Sequence, residues 1–432
     1  MIFTNYEKLA WKAPDEIKQT QNALLREHVE YCAEHSPYYR RVLDEPGVSD
    51  LDISVDSLQK LPLTRKADLG KYNDEFLAVN PKKIVDIVFS SGTTGPPTRI
   101  AYTEHDLERL AYNERQSFLG TGMTPEDTVL HTCTMDRCFV AGLAYYLGVR
   151  SVGAASIRSG HAPLESHLQI LRRSEPTAIV GVPSFLKKLA ECAEQNTINP
   201  ADMSVKSLVC IGEPVRDENL QYLPLGRIIH EKWGADVYST YASTEAVTTF
   251  CECTKQQGGH LHPELAVIEI VDDQGDPVKP GENGEVVLTP LGTEGMPLIR
   301  YRTGDISFLL EEPCGCGRNS VRLGPILGRK KQMIKYKGTT LYPQPIAAAL
   351  QTIPAIEEHY VEVAGEEALS DQLTIHVAVS DPEWDADRIA ARLQSHLRVK
   401  PAVVIEELES LRKEVFDPKY RKPMRFVDRR TT

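Results

Sequence analysis

Between residues 84 and 212, short apolar runs alternate with helix-length stretches, and this alternation constrains the fold more than any other feature. Ile84–Phe89 and residues 128–132, 178–183 and 207–212 read as strands. Residues 107–118 and the stretch that opens at Ser184 read as helices. Strands spaced by helices in this way, past the loop that follows Phe89, form parallel βαβ units, and Ile84–Phe89 itself reads as a buried strand. Ligands gather at the carboxyl ends of strands in such sheets. The loops after residues 89, 182, 211 and 238 are therefore where a site is expected.

The flanking regions read differently. Residues 15–45 carry Ile17, Leu24, Val29 and Cys32 at helical spacing, closed by Ser36-Pro37, and Thr64 is placed to cap a following helix. From about residue 266, strands at 267–271 and 284–289 are joined by Gly- and Asp-rich turns, which predicts an antiparallel β subdomain. Past Gly328-Arg329-Lys330-Lys331 the pattern becomes α+β: helix 344–351, strands near 359–364 and 373–379, helix 384–398 and strand 402–407. The expected organisation is an α/β domain over 1–327, a hinge over 328–331 and a small mobile α+β domain over 332–432.

Composition excludes several classes. The chain of 432 residues is 41% apolar and 25% charged, ordinary for a globular protein. A net charge of −12 argues against a general nucleic-acid binder, whose affinity rests on neutralising phosphates. No apolar run approaches membrane-spanning length, and the first residues lack the basic-then-apolar order of a signal peptide. Nine cysteines, an odd number with Cys32, Cys192 and Cys210 each alone in an apolar segment, suit a reducing cytoplasm.

The strand at 84–89 runs into Ser90-Ser91-Gly92-Thr93-Thr94-Gly95-Pro96-Pro97-Thr98. Its glycines allow a sharp turn, and its hydroxyls and free N–H groups suit an anion, phosphate foremost. No Gly-Lys-Ser/Thr follows, so this is not a Walker loop, and Gly-x-Gly-x-x-Gly spacing is absent. Alone, the stretch reads equally as a flexible linker.

Downstream motifs decide between the two. The loop resembles the phosphate loop of adenylate-forming enzymes, the acyl-CoA synthetase and luciferase superfamily. Tyr241-Ala242-Ser243-Thr244-Glu245, Gly284-Glu285, Tyr301-Arg302-Thr303-Gly304-Asp305, and Gly328-Arg329 with Lys335-Tyr336-Lys337-Gly338 resemble its later motifs, in order. Residues 139–148, Pro183-Ser184 and Gly212-Glu213-Pro214 resemble the phenylacetate–CoA ligase branch. The resemblance implies that ATP and a carboxylic acid give an acyl adenylate and pyrophosphate, and that CoA then takes the acyl group. It assigns Ser90, Ser91, Gly92, Thr93, Thr94 and Gly95 to the phosphates and Gly212, Glu213 and Pro214 to the adenine side. Tyr241 stacks on adenine within Tyr241, Ala242, Ser243, Thr244 and Glu245; Glu245 holds Mg2+; Asp305 takes the ribose hydroxyls; and Arg329 belongs to the nucleotide set. By the same resemblance Lys422 is the candidate catalytic lysine, although Arg421 stands where the family has glycine, and Lys419 is the runner-up. The bland reading of this region is a solvated basic tail. The resemblance also puts Lys331 at the hinge position and Gly338 beside the pantetheine tunnel. A homodimer is implied as well.

Cys251-Glu252-Cys253, His260, His262 and Cys314-Gly315-Cys316 supply soft and borderline ligands that suit tetrahedral Zn2+, in a spacing unlike a standard finger. By resemblance to some members of the branch, the ligands are Cys253, His260, Cys314 and Cys316, with Cys251 and His262 as spares and a structural role. Buried thiols and surface histidines are the alternative. Residues 131–139 and 154–161 are expected around the acid, with Arg137, Phe139, Arg158 and His161 as candidates, and an aryl acid fits the aromatic content. The acid itself is not identified. An adenylyltransferase, an amide- or carrier-protein ligase, and a nucleotide- or acid-binding sensor remain alternatives.

Overall fold

The structure is a computed structural model that describes residues 5–45, 47, 51–90, 97–365, 371–416 and 423–430. The chain divides into two compact units, Met1–Tyr222 with Gly226–Ile326, and Leu223–Leu225 with Leu327–Thr432. No described helix is long and apolar enough to cross a membrane.

In the first unit, β1 (Ile84–Phe89) and β2 (Arg99–Thr103) form a separate antiparallel hairpin. This corrects the expected buried strand: Val85, Ile87 and Phe89 are 53%, 47% and 40% exposed, because the hairpin covers β1 on one face only. The main sheet is built on β3 (Thr128–His131), β4 (Ala155–Arg158), β5 (Ala178–Gly181), β6 (Ser207–Ile211) and β7 (Asp236–Ser243). These run parallel in the order β4-β3-β5-β6-β7. Beyond β7 the sheet turns antiparallel through β8 (Thr248–Cys251) and β9 (Gly259–His260). A second sheet pairs β10 (Ala266–Val271), β11 (Gly284–Pro290) and β12 (Tyr301–Ser307) antiparallel, as the turn chemistry predicts. The chain then returns to the main sheet as β13 (Leu309–Leu310) and β14 (Arg322–Leu323), the latter pairing β9.

Strands β3, β5 and β6 read as apolar runs because both of their faces are buried. Val129, Val180 and Val209 pack with Phe118, Tyr145 and Val149. Ser36-Pro37 breaks the first long helix, leaving Pro14–His35 and Pro37–Leu43. Thr64 is not the helix cap expected of it. The helix is Lys66–Lys71 with Arg65 at its cap, and the Asp68 carboxylate accepts the Arg65 N–H at 2.8 Å. Thr64 is buried instead, sharing a 2.7 Å hydrogen bond with the Tyr39 hydroxyl and donating to the Ile299 carbonyl at 2.7 Å. At the start of the chain, the Ala10 carbonyl accepts the Asn319 N–H at 2.7 Å, and the Arg318 guanidinium lies 4.4 Å from the Trp11 ring centre.

In the second unit, strands Ile356–Ala364 and Gln372–Val379 pair antiparallel, flanked in parallel by Phe426–Asp428 and Ala402–Ile405. Helices Pro343–Leu350 and Ala386–Leu397 pack on this sheet around Ile346, Leu350, Ile375, Ile389 and Leu393.

Candidate active site

The carboxyl ends of β5, β6 and β7 carry the residues singled out in the sequence. Tyr241 stands near the end of β7, and its hydroxyl donates to Asp305 Oδ2 at 2.8 Å. Burial, then the charge of Asp305, holds the phenol well above its ordinary range, so it is a neutral donor. Its ring lies against Phe250, centroids 6.0 Å apart.

Asp305 is freed for this contact by a bulge. Glu285 pairs with Ile306 and Val287 with Arg302, so Thr303-Gly304-Asp305 loops out of the β11–β12 ladder. Glu285 holds the bulge in shape. Its Oε2 accepts Arg302 Nε at 2.9 Å and Nη2 at 2.6 Å, and its Oε1 accepts the Gly304 N–H at 3.2 Å. The two motifs Gly-Glu and Tyr-Arg-Thr-Gly-Asp are thus one structural device.

Glu245 lies on a turn just past β7. The Tyr102 hydroxyl donates to the Thr244 carbonyl at 2.8 Å, and the Ala246 N–H donates to Ser243 Oγ at 3.2 Å. Arg109, fully buried, donates to the carbonyls of Val247, Leu265 and Leu291. Val247 sits at φ 48°, a backbone region that β-branched residues rarely occupy. Lys66 Nζ stands 3.1 Å from Glu245 Oε1, a partner missed in the sequence reading. The two lie 179 positions apart, beyond any local pattern.

Glu213 follows β6 and is tied to the helix Pro183–Gln195: its carboxylate accepts the Ser184 N–H and hydroxyl, each at 2.9 Å. Pro183-Ser184 and Gly212-Glu213-Pro214 therefore also form one unit. Ser90 is buried and its N–H donates to the Thr98 carbonyl at 3.0 Å. Ser91, Gly92, Thr93, Thr94, Gly95, Lys419 and Lys422 lie outside the described residues.

Around the expected acid pocket, Arg137 is exposed at φ 57°, and the Arg158 guanidinium lies 5.0 Å from the Tyr146 ring centre. Phe139 caps the helix Val140–Val152, and His161 is exposed. Gly142 is required here, since a Cβ would fall 2.2 Å from the Thr134 carbonyl oxygen. His131, at the end of β3, is fully buried with neither ring nitrogen hydrogen-bonded, and burial, then Arg158, lowers its pKa to about 4.

In the second unit, Arg329 is exposed in the strand Gly328–Arg329, and Lys331 lies in the short helical turn Lys330–Gln332. Lys337 and Gly338, both at positive φ (49° and 76°), form the two-residue turn between Ile334–Tyr336 and Thr339–Leu341.

Cys253, His260, Cys314 and Cys316 converge, their ligand atoms all within 4.8 Å of one another. Cys253 and Cys314 sulfurs are 3.7 Å apart, and Cys316 Sγ is 3.5 Å from His260 Nε2. A tetrahedral Zn2+ would separate two thiolates by about 3.8 Å and a thiolate and an imidazole by about 3.6 Å, so the set fits. Burial lowers the His260 pKa to about 2, keeping the imidazole in its ligating form. Cys251 and His262, the spares, stand outside the cluster; Cys251 Sγ instead accepts Thr240 Oγ1 at 3.3 Å.

Residues 9–292 match the AMP-binding enzyme family, and residues 338–430 match the AMP-binding enzyme C-terminal domain. The chain is 32% identical to the phenylacetate-coenzyme A ligase of Thermus thermophilus over 85% of its own length and 82% of that protein's. It is 28% identical to that of Escherichia coli over 88% and 86%. The crystal structure of 2-hydroxyisobutyryl-CoA ligase in its postadenylation state, 24% identical, superposes with a TM-score of 0.84 over 98% of this chain and 91% of that one. A shared fold, matches to both family domains and a relative of this identity lead to one assignment: the chain belongs to the adenylate-forming AMP-binding enzymes, in their phenylacetate–coenzyme A ligase-like branch.

Proposed function

We propose that the chain activates an aryl, phenylacetate-like carboxylic acid with ATP and transfers the acyl group to CoA. The products are acyl-CoA, AMP and pyrophosphate. The chain is an AMP-forming acid–CoA ligase by family; the aryl acid is the finer part of the proposal. The carrying observation is the meeting of Tyr241 and Asp305 at 2.8 Å beside the turn that bears Glu245. A ring face, a diol acceptor and a cation ligand there match adenine, ribose and a metal-bound phosphate.

The acid carboxylate attacks the α-phosphorus and pyrophosphate leaves, so the protein's part is positioning and charge stabilisation. Tyr241 offers its ring to adenine, and Gly212, Glu213 and Pro214 bound the adenine edge. Asp305 accepts the ribose hydroxyls, and residues 90–95 receive the phosphates. Glu245 would hold Mg2+, which neutralises phosphate charge when bound. Lys422 supplies a cation at the new anhydride. In the second half-reaction Gly338 admits the thiol arm of CoA, and residues 332–432 turn about Lys331 against the adenylation domain 1–327. Arg329 belongs to the nucleotide set. Cys253, His260, Cys314 and Cys316 would hold a structural Zn2+, with every position filled by protein. A homodimer in the cytoplasm completes the reading.

The test is pyrophosphate release from ATP and Mg2+ with a panel of acids, each with and without CoA. Release driven by an aryl acid and sustained only with CoA is expected. Sustained release without CoA, with labelled AMP retained on a product, would replace this reading by AMP transfer. Lys422→Ala should slow adenylation by about 10²–10³; unchanged exchange of pyrophosphate into ATP would refute that role.

A further inference from the structure

Glu252 stands between the two thiols of Cys251-Glu252-Cys253 and is 1% exposed. Its Oε1 accepts Arg216 Nε at 2.7 Å, and its Oε2 accepts the Ser239 N–H at 2.8 Å. Its own N–H donates to the Ser239 carbonyl at 3.0 Å. Arg216, 5% exposed, reaches the Leu220 carbonyl (3.2 Å), the Val237 carbonyl (3.1 Å) and Gln256 Oε1 (2.8 Å). The Gln256 N–H donates in turn to the Cys253 carbonyl at 2.8 Å.

The positions of these partners matter. Arg216 comes two residues after Pro214, at the end of the segment that bounds the adenine edge. Ser239 comes two residues before Tyr241 on β7. Cys253 is one residue from Glu252 and belongs to the metal cluster. One buried ion pair therefore stands at the junction of the metal loop and both nucleotide segments. A buried charge pair of this kind has few alternative arrangements, because displacing either partner leaves the other charge uncompensated.

We propose that Glu252 is a positioning residue that couples the metal cluster to the nucleotide face. Metal bound at Cys253 holds Glu252 where it fixes Arg216 and Ser239, and loss of the metal slackens the segments that carry Glu213 and Tyr241. The inference rests on the proposed nucleotide role of those segments.

The test is a thermodynamic cycle read by AMP binding. AMP affinity is measured by calorimetry on the full chain as purified and after metal removal with a chelator, in wild type and in Glu252→Gln. Stripping should weaken AMP binding about tenfold in wild type, within the usual range of coupling between sites. Glu252→Gln should be weakened by a similar factor before stripping, and stripping it should add less than twofold. Equal stripping factors in the two proteins, no effect in wild type, or no metal in the purified chain would each overturn the coupling. Should Glu252→Gln not fold, Arg216→Met with Glu252→Met removes both charges and replaces it in the cycle. Wild type that binds no AMP would defeat the nucleotide reading, and this inference with it. Wild type that binds AMP indifferently to metal defeats the coupling alone.

Discussion

Glu285→Ala tests the device that presents Asp305. The side chains of Glu285 and Arg302 are 5% and 11% exposed, so this ion pair is largely shielded from water. The substitution removes the acceptor of Arg302 Nε, of Arg302 Nη2 and of the Gly304 N–H together. The guanidinium keeps a 3.3 Å contact from Nη2 to the Asp272 carbonyl. Deleting one partner of a buried pair costs about 3–5 kcal/mol. The remaining exposure of Arg302 and its contact with Asp272 place the expectation at the lower end, about 3 kcal/mol. At about 1.5 °C per kcal/mol for a unit of this size, the melting temperature should fall by about 4–5 °C. The bulge at 303–305 should also relax, and AMP affinity should drop with it. Thermal unfolding by circular dichroism, repeated with AMP, reads both effects. Replacing Arg302 and Glu285 together by Met should recover much of the lost stability, because no charge is then orphaned. A single variant melting within a degree of wild type, or a double variant no more stable than the single one, would refute the reasoning.

Three further outcomes are expected. Glu114→Gln should stabilise the protein increasingly as pH rises. Burial lifts the Glu114 pKa from 4.5 to about 7, so the wild-type contribution is full below the unfolded value and is lost as pH rises to about 7. The variant should exceed wild type by about 3 kcal/mol at pH 8 and by little at pH 4.5, read by urea unfolding; a gap that does not change with pH would count against it. Metal analysis should give about one zinc per chain, and chelation should lower the melting temperature; metal-free protein of unchanged stability would remove the cluster. Lys331→Pro should depress thioester formation while sparing adenylation, since proline fixes the backbone angle that a hinge must change; equal loss of both half-reactions would end the hinge assignment.

Much of the fold and site was legible because it is written locally. The apolar runs of β3, β5 and β6 are buried on both faces, so their strands need no partner to be recognised. The strings holding Tyr241, Glu245 and Asp305 are each contiguous, presenting Tyr241 near the end of β7, Glu245 on the turn past it and Asp305 on a bulge. What was hidden is non-local. Val85, Ile87 and Phe89 are as apolar as any core run, yet among the described residues β1 pairs only with β2, and composition cannot report how many faces are covered. Thr64 has the chemistry of a helix cap, and its hydroxyl was claimed by Tyr39 and Ile299 from elsewhere in the chain. Lys66 meets Glu245 through tertiary packing that no spacing encodes.

The strap at the amino terminus bears on the order in which the chain can be assembled. Ala10, Trp11 and Lys12 all present their carbonyls to Asn319, and the Trp11 ring lies beside Arg318. During synthesis this segment waits for one made 308 positions later. The helix Pro14–His35 can form early, but Ala10, Trp11 and Lys12 can dock only once the loop at 314–320 exists. A nascent chain halted before residue 319 would therefore leave Ala10, 3% exposed in the finished fold, open to solvent and to proteases, and its protection from cleavage would time the closure of this unit.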